Sequence, residues 1–222
     1  MKRIMFWITI GAALFALGDQ AQAEFIYQLV TDKPSYTEDL GDQFDVIVYL
    51  QETVSGGDAS RLVGPDGGLV SAGVRVTHGP SAPARVLSHG DIMANPAFTD
   101  TFLLETILLP GDGVAGFFET IDLFDDPIQG VETSPGVHRI ELGTFRFHAL
   151  SAGTFTLLIG DLNPDLTDFV TADFTDLDPL LTASSVSITI RDVNAIPEPA
   201  GLVLLGIGAV GALALGRFRK IA

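Results

Sequence analysis

Residues 137–162 read VHRIELGTFRFHALSAGTFTLLIGDL, and this stretch decides the fold class. Its first half alternates apolar with polar side chains, the apolar ones being Ile140, Leu142, Phe145 and Phe147. A period of two is the pattern of a β-strand with one buried face. The phase slips by one residue at Gly143-Thr144, which predicts a β-bulge or a bend within one long strand.

A second alternating stretch follows this strand almost at once. Ser151, Ala152 and Gly153 separate it from residues 154–162, where Phe155, Leu157 and Ile159 are the alternating apolar residues. Small residues between two alternating stretches are typical of a tight turn. The two stretches are therefore predicted to form a β-hairpin.

Similar stretches occur along most of the chain. Further strands are predicted at residues 25–30, 44–50, 70–77, 84–88, 101–109, 114–124 and 186–191. The only helix-like segment in the body is short and lies near residues 90–94, while Gly and Pro mark turns between the strands. About nine short strands with such turns predict an all-β fold, an antiparallel β-sandwich of the jelly-roll kind.

The charge is strongly asymmetric. The chain has 28 acidic and 12 basic residues, and residues 24–196 alone carry 26 acidic and seven basic ones. A body this acidic is repelled by phosphate backbones, which excludes nucleic acid as a partner. The chain has no cysteine, so disulfides, thiolate metal sites and cysteine nucleophiles are excluded as well.

The N-terminal 23 residues have the layout of a secretory signal peptide. Lys2 and Arg3 precede an apolar run over residues 4–17, and Ala21-Gln22-Ala23 forms an A-x-A cleavage site. This layout predicts export through the Sec translocon, removal of residues 1–23 by signal peptidase, and a mature chain that begins at Glu24. The alternative is a buried N-terminal helix.

The C-terminal segment, residues 194–222, is equally organised. Residues 200–216 carry no charge, and as a helix they would extend about 26 Å, close to the roughly 30 Å of a bilayer core. The basic residues Arg217, Arg219 and Lys220 follow directly. They predict a transmembrane helix with a cytoplasmic basic anchor, so that the acidic body faces outward.

Pro197, Glu198 and Pro199 stand immediately before this apolar segment. Together with that segment and the basic end, they resemble the PEP-CTERM sorting signal of Gram-negative bacteria. The resemblance implies recognition by an exosortase, with the three residues as the processing motif of a substrate. It also implies a passage from the inner membrane, with the body in the periplasm, to the cell surface or the extracellular space.

The body, residues 24–193, resembles the cohesin-like and carbohydrate-binding-like sandwich domains. The resemblance rests on the strand 44–50, on Gly73-Val74-Arg75-Val76-Thr77, and on the pair of segments LGTFRF (142–147) and AGTFTL (152–157). It implies a module that holds a protein or polysaccharide partner. The Tyr-Asp pair usual in the early cohesin strand is replaced here by Thr77-His78, which departs from the dockerin-binding pattern.

Candidate metal ligands occur in one acidic segment. Asp161, Asn163 and Asp165 place oxygen atoms at alternate positions, as a calcium loop does, but an EF-hand would need glycine and glutamate where Leu166 and Ala172 stand. The sequence therefore suggests a calcium site of another kind. Its ligands would be Asp161, Asn163, Asp165 and Asp168, with Asp173, Asp176 and Asp178 as further candidates. A solvated acidic loop is the alternative, and no other cofactor is predicted.

No catalytic motif is present in the sequence. The four histidines, His78, His89, His138 and His148, lack the spacing of a zinc site. The prediction is a non-catalytic exported protein with a structural or adhesive role at the cell surface, associated with exopolysaccharide or biofilm. Its partners would be polysaccharide or surface proteins, and the membrane at least transiently. The alternatives are a carbohydrate- or protein-binding module, with Tyr49 as the best exposed aromatic, and a glycoside hydrolase with two carboxylates about 5–10 Å apart.

Overall fold

The computed structural model describes residues 24–56, 58–100, 105–122 and 124–193. These residues form fourteen strands and two three-residue 3-10 helices, His89–Asp91 and Asp178–Leu180. The strands are β1 (Phe25–Thr31), β2 (Ser35–Asp39), β3 (Gln43–Val54), β4 (Leu69–Thr77), β5 (Ala84–Arg85), β6 (Ile92–Ala94), β7 (Glu105–Leu109), β8 (Val114–Thr120), β9 (Val131–Ser134), β10 (Val137–Ala149), β11 (Gly153–Asp161), β12 (Val170–Thr171), β13 (Leu181–Thr182) and β14 (Ser184–Arg191).

The strands form two sheets that pack face to face, as the sequence predicts. The first sheet has the order β13-β1-β3-β10-β5, and β6 and β9 also pair with β10. The second has the order β2-β14-β11-β4-β8-β7, and β12 also pairs with β4. Most pairs are antiparallel. The prediction of an all-β sandwich is therefore confirmed.

The two strands at the start of the described chain pair with the two strands at its end, one pair in each sheet. The chain passes from β1 in the first sheet to β2 in the second across Asp32, Lys33 and Pro34, and it makes the same change between β13 and β14. β13 pairs with β1, and β14 pairs with β2, both in parallel. This seam ties the two ends of the sandwich domain together.

Aromatic side chains join the two sheets in the core. Phe145 of β10 stacks on Phe117 of β8, with ring centroids 5.5 Å apart. Phe147 stacks on Phe44 of β3 at 5.6 Å within the first sheet. Because β10 and β8 belong to different sheets, the Phe145–Phe117 contact holds the layers in register with each other.

The predicted phase slip in β10 is present as a bulge. The pairing of β10 with β3 shifts between Glu141 and Gly143, one residue earlier than the Gly143-Thr144 position predicted from the sequence. Asn95 closes the irregularity, because its backbone N–H donates to Leu142 O and its side-chain amide donates to Glu141 O. The bulge lets Leu142 and Phe145 both point into the core, where both are buried.

The predicted hairpin between residues 137–150 and 154–162 is wrong. β10 lies in the first sheet, whereas β11 pairs with β14 and β4 in the second. The N–H groups of Leu150 and Ser151 donate to Pro83 O, and Gly153 has a φ of +149°. The short turn therefore carries the chain across the edge of the sandwich, from one layer to the other.

Other differences concern short elements. The helix-like segment near residues 90–94 is a 3-10 helix, His89–Asp91, followed by strand β6. The sequence did not predict β2, β9, β12 or β13, which are short or mainly polar. The predicted strand at residues 101–109 is described only from Glu105 onward, as β7.

Several predictions lie outside the described residues. They are the signal peptide with its cleavage residues Ala21 and Ala23, the processing motif Pro197, Glu198 and Pro199, and the helix with Arg217, Arg219 and Lys220. Within the part of the chain that the structure does describe, no helix has the length and apolar character needed to span a bilayer.

Substitution of Gly143 tests the bulge. A Cβ atom at Gly143 would lie 2.6 Å from Met93 O and 2.8 Å from Phe117 Cζ, closer than atoms can approach. We expect Gly143→Ala to lower the free energy of unfolding by about 1–3 kcal/mol, measured by urea denaturation and circular dichroism. The control is Gly90→Ala, where the nearest atom is Ser88 Oγ at 3.7 Å. Equal denaturation midpoints for the two variants would contradict this account of the bulge.

Candidate functional site

The acidic segment 161–180 lies across the outer surface of the second sheet. It leaves β11 at Asp161 and passes over β4 and β8, where two glycines make room for it. A Cβ atom at Gly73 would lie 2.5 Å from Asp168 Oδ2, and one at Gly116 would lie 2.7 Å from Leu162 Cδ1. Glycine at these two positions therefore lets the segment lie directly on the strands.

Two of the predicted calcium ligands come together in this segment. The backbone N–H of Asn163 donates to Asp161 Oδ1 at 3.1 Å and to Asp168 Oδ2 at 3.1 Å. The Asn163 side-chain oxygen instead accepts the N–H of Asp165 at 3.2 Å. The structure thus joins Asp161 and Asp168 through a backbone amide, and it uses the Asn163 side chain to form a local turn.

Asp178 completes the cluster from the following 3-10 helix. Its carboxylate accepts the N–H groups of Asp168 at 2.6 Å and Phe169 at 2.9 Å. Burial, followed by hydrogen bonding to the Asp161 carboxyl, raises the pKa of Asp168 to about 7. Burial also raises the pKa of Asp178. The carboxyls of this cluster therefore repel one another when all are ionised.

A cavity of about 270 Å³ opens beside the cluster. Four aspartates line it, Asp161, Asp165, Asp176 and Asp178, together with apolar side chains that include Leu166. In the described part of the chain, no three His, Asp or Glu side chains are grouped so that they could hold a metal ion. Calcium binding by Asp161, Asn163, Asp165 and Asp168 stays a prediction.

A second polar cluster surrounds Glu52, which is fully buried at the end of β3. Its carboxylate accepts hydrogen bonds from Tyr27 Oη at 2.9 Å, from Arg61 N at 3.0 Å and from Ser60 Oγ. His138 Nδ1 lies 3.5 Å from the same carboxylate. Tyr27, Glu52 and His138 are register neighbours on three adjacent strands, so the cluster fixes the loop at residues 55–62 onto the first sheet.

Sequence reasoning missed this cluster, although a signal was present. Glu52 follows Phe44, Val46, Val48 and Leu50 in the same alternating phase, which places its side chain on the core face. A buried carboxylate needs several donors. Two of those donors come from a loop whose path the alternation does not define.

The histidines do not form a common site. Each has its own neighbour: His78 with Gly79 O, His89 with Thr106 Oγ1, His138 with Glu52, and His148 with Asp91 Oδ1. Tyr49, the candidate sugar contact, is half-buried between Val30 and Glu141 of the neighbouring strands.

Glu119 is the most unusual ionisable group in the core. It points inward from β8, opposite Ala72 of β4, and is 1% exposed. Neither carboxylate oxygen has a hydrogen-bond partner within the described residues. Burial raises the pKa of this carboxyl to about 9, and the nearby Asn95 backbone offsets the rise only in part. Glu119 is therefore protonated at neutral pH.

Comparison with known proteins finds similar solved structures but no match by sequence. No protein-family model matches it, and no curated protein matches its sequence. Among solved structures, a type I cohesin–dockerin complex from Clostridium thermocellum has a cohesin that aligns at 13% identity, over 77% of this chain and 97% of the other, with a TM-score of 0.48. The third cohesin ScaC from Acetivibrio cellulolyticus, in complex with the ScaB dockerin, aligns at 12% identity over 75% of this chain and 99% of the other, also with a TM-score of 0.48.

A third structure is more distant. A type III cohesin module from a cell-surface anchoring scaffoldin of Ruminococcus flavefaciens aligns at 8% identity over 77% of this chain and 89% of that one, with a TM-score of 0.42. The three structures are cohesin modules or complexes that contain one. The similarity concerns the arrangement of strands alone and assigns no residue of this chain a role.

Neutralising Glu119 should change how stability depends on pH. Because its pKa is raised from 4.5 to about 9 in the folded state, the wild-type chain loses stability as the pH rises through this range. We expect Glu119→Gln to remove this loss, which amounts to at most about 1.4 kcal/mol per pH unit. Urea denaturation at pH 5, 7 and 9 measures it. Glu105→Gln, on an exposed carboxylate, is the control, and parallel pH profiles for all three proteins would contradict the assignment.

Asp168 gives a second pH test, which also tests calcium binding. Since the pKa of Asp168 is raised to about 7, its contribution to stability falls between about pH 4 and 7. We expect the stability of Asp168→Asn, measured relative to wild type, to be higher at pH 8 than at pH 5.

Calcium held by this cluster would raise the melting temperature of the wild type at pH 8 and leave that of Asp168→Asn unchanged. An equal response of both proteins to calcium would exclude the predicted ligand set.

Proposed function

We propose that this chain is an exported, non-catalytic surface protein whose β-sandwich is sorted by an exosortase through its C-terminal segment. The signal peptide at residues 1–23 starts export, and Pro197, Glu198 and Pro199 with the apolar segment and basic end form the sorting element. The body then has a structural or adhesive role at the cell surface, within an exopolysaccharide or biofilm matrix.

The observation that carries this proposal is the position of the two processing points relative to the fold. Signal-peptide cleavage before Glu24 falls one residue ahead of β1, which begins at Phe25. The processing motif begins six residues after Arg191, the last residue of β14. Cleavage at either point leaves every strand of both sheets whole, and the seam of β1 with β13 and β2 with β14 is retained.

The burial and hydrogen bonding of the carboxyl groups also support a binding role rather than a catalytic one. Glu52 accepts hydrogen bonds from three groups, and Asp168 is buried against Gly73. Glycoside hydrolysis requires two carboxyl groups on either side of an open cleft that admits the sugar. Glu52, Asp168 and Asp178 instead accept hydrogen bonds from loop groups and so hold the loops on the sheets.

Substitution of the motif tests the proposal in a host that carries the sorting machinery. We expect replacement of Pro197, Glu198 and Pro199 by alanine to leave the protein in the membrane fraction with its C-terminal segment intact. The wild type and Ala200→Ser, a neighbouring control outside the motif, should be recovered in shortened form. Immunoblots of membrane, surface and medium fractions give the result, and unchanged processing of the triple variant would contradict the proposal.

A further inference from the structure

Phe174 is exposed and held in an unfavourable backbone conformation. Its side chain is 85% exposed. Its φ is +60°, and no other non-glycine residue in the described part of the chain has a positive φ. A left-handed conformation is unfavourable for a residue with a Cβ atom, and such positions are usually occupied by Gly or Asn.

The turn around Phe174 fixes this conformation. Phe174 N donates to Thr171 O at 2.9 Å, and Thr175 N donates to Thr171 Oγ1 at 3.1 Å. The turn is fastened to the sheet because Ala172 N donates to Gly68 O at 3.0 Å. The aromatic ring therefore projects from a hydrogen-bonded turn. It contributes little to the core, and its Cβ atom makes the left-handed backbone conformation unfavourable.

A second phenylalanine projects from the loop on the other side of β4. Phe124 is 96% exposed. Its loop is joined to the start of β4 through Ile121 N and Val70 O and through the Leu69–Ile128 bridge. The loop with Phe174 joins the same part of β4 through β12. The two exposed rings are thus carried by loops that flank one strand end.

These loops form an acidic end of the sandwich, which we call the distal end. It consists of residues 55–56, 58–68, 121–122, 124–130 and 161–180, which together contain eleven aspartates, of which Asp168 is buried, and one basic residue, Arg61. Hydrogen bonds connect its segments, for example Gly130 N to Leu62 O at 2.7 Å. Aromatic residues, Phe among them, are enriched in protein–protein interfaces relative to the rest of the surface.

The distal end lies opposite the point where the chain leaves the sandwich. β14 begins at Ser184, whose partner Ile159 is near Asp161, and it ends at Arg191 beside Asp39. Its eight residues extend about 23 Å along the sheet. Arg191, after which residues 192–222 continue, therefore lies about one strand length from the distal end.

We propose that the distal end binds a basic, partly apolar segment of a partner protein, with Phe174 as its central contact. Lys or Arg side chains of that segment would pair with the aspartates and lie over the Phe174 ring, and its apolar residues would cover the ring edges. The negative charge of the distal end favours a basic partner segment, because it repels acidic segments. The proposal rests on the proposed function, in that it assigns the binding surface of the exported body.

The test uses the full-length chain in phosphatidylcholine nanodiscs and two labelled twelve-residue peptides, one alternating Lys with Leu and one alternating Lys with Ser. Empty nanodiscs give the blank. We expect the Lys-Leu peptide to bind, and Phe174→Gly to weaken it at least tenfold. We expect the Lys-Ser peptide to bind more weakly and to lose less affinity on that substitution, because only the contacts of its Lys side chains with the ring are removed. The control is Leu109→Ser, which removes a 49%-exposed apolar side chain at the other end of the second sheet.

Thermal unfolding separates lost binding from lost folding. Because glycine relieves the backbone strain and the exposed ring has few contacts to lose, Phe174→Gly should melt at a higher temperature than wild type. Equal peptide affinity for Phe174→Gly and Leu109→Ser would overturn the proposal, since charge alone would then explain binding. Phe174-dependent capture of a neutral glucan without capture of the Lys-Leu peptide would overturn the assigned partner. Neither result depends on processing, so the sorting proposal is tested separately.

Discussion

The sandwich depends on a one-residue shift of phase in its longest strand. β10 has thirteen residues, and both halves must present apolar side chains to the same core. A strand without the bulge would turn Phe145 and Phe147 toward solvent, because side chains alternate between the two faces. Phe145 is the ring that reaches Phe117 in the opposite sheet. The bulge, the glycine that permits it and the Asn95 side chain that closes it therefore set how the two layers fit together.

The stretches with clear alternation were predictable, because burial of one strand face imposes a pattern that the sequence displays directly. Residues 44–50, 70–77 and 137–150 fall within or closely match observed strands. Strand β2 was missed because its one buried side chain, Tyr36, gives no period. The false hairpin has a different cause. Alternation identifies a strand but not its neighbour, and a turn as short as residues 151–152 can join strands within one sheet or between two.

The environment of the buried carboxyl groups was likewise predictable only in part. Glu52 and Glu119 occupy core-facing positions in their strands, so their burial was available from the alternation. The difference between the two carboxyl groups could not be predicted from the alternation. Loop donors satisfy the carboxylate of Glu52, while Glu119 remains protonated in an apolar setting. In the acidic segment, Asp161 and Asp168 were predicted as ligands of one calcium site, and the structure places both carboxylates on the Asn163 N–H. Their link through the Asn163 amide, and the approach of Asp178 from a 3-10 helix, depend on how the segment lies on Gly73.

These features give the molecule two distinct ends. The chain leaves beside Arg191, and the aspartate-rich loops with their exposed phenylalanines lie one strand length away. We propose that the sandwich works as an exported body freed from both terminal segments. The most direct measurement is the intact mass of the protein recovered from membrane, surface and medium fractions of its native host. We expect a mass that begins at Glu24 and ends near residues 197–199. A mass that still includes residues 217–220, found only in the membrane fraction, would contradict it.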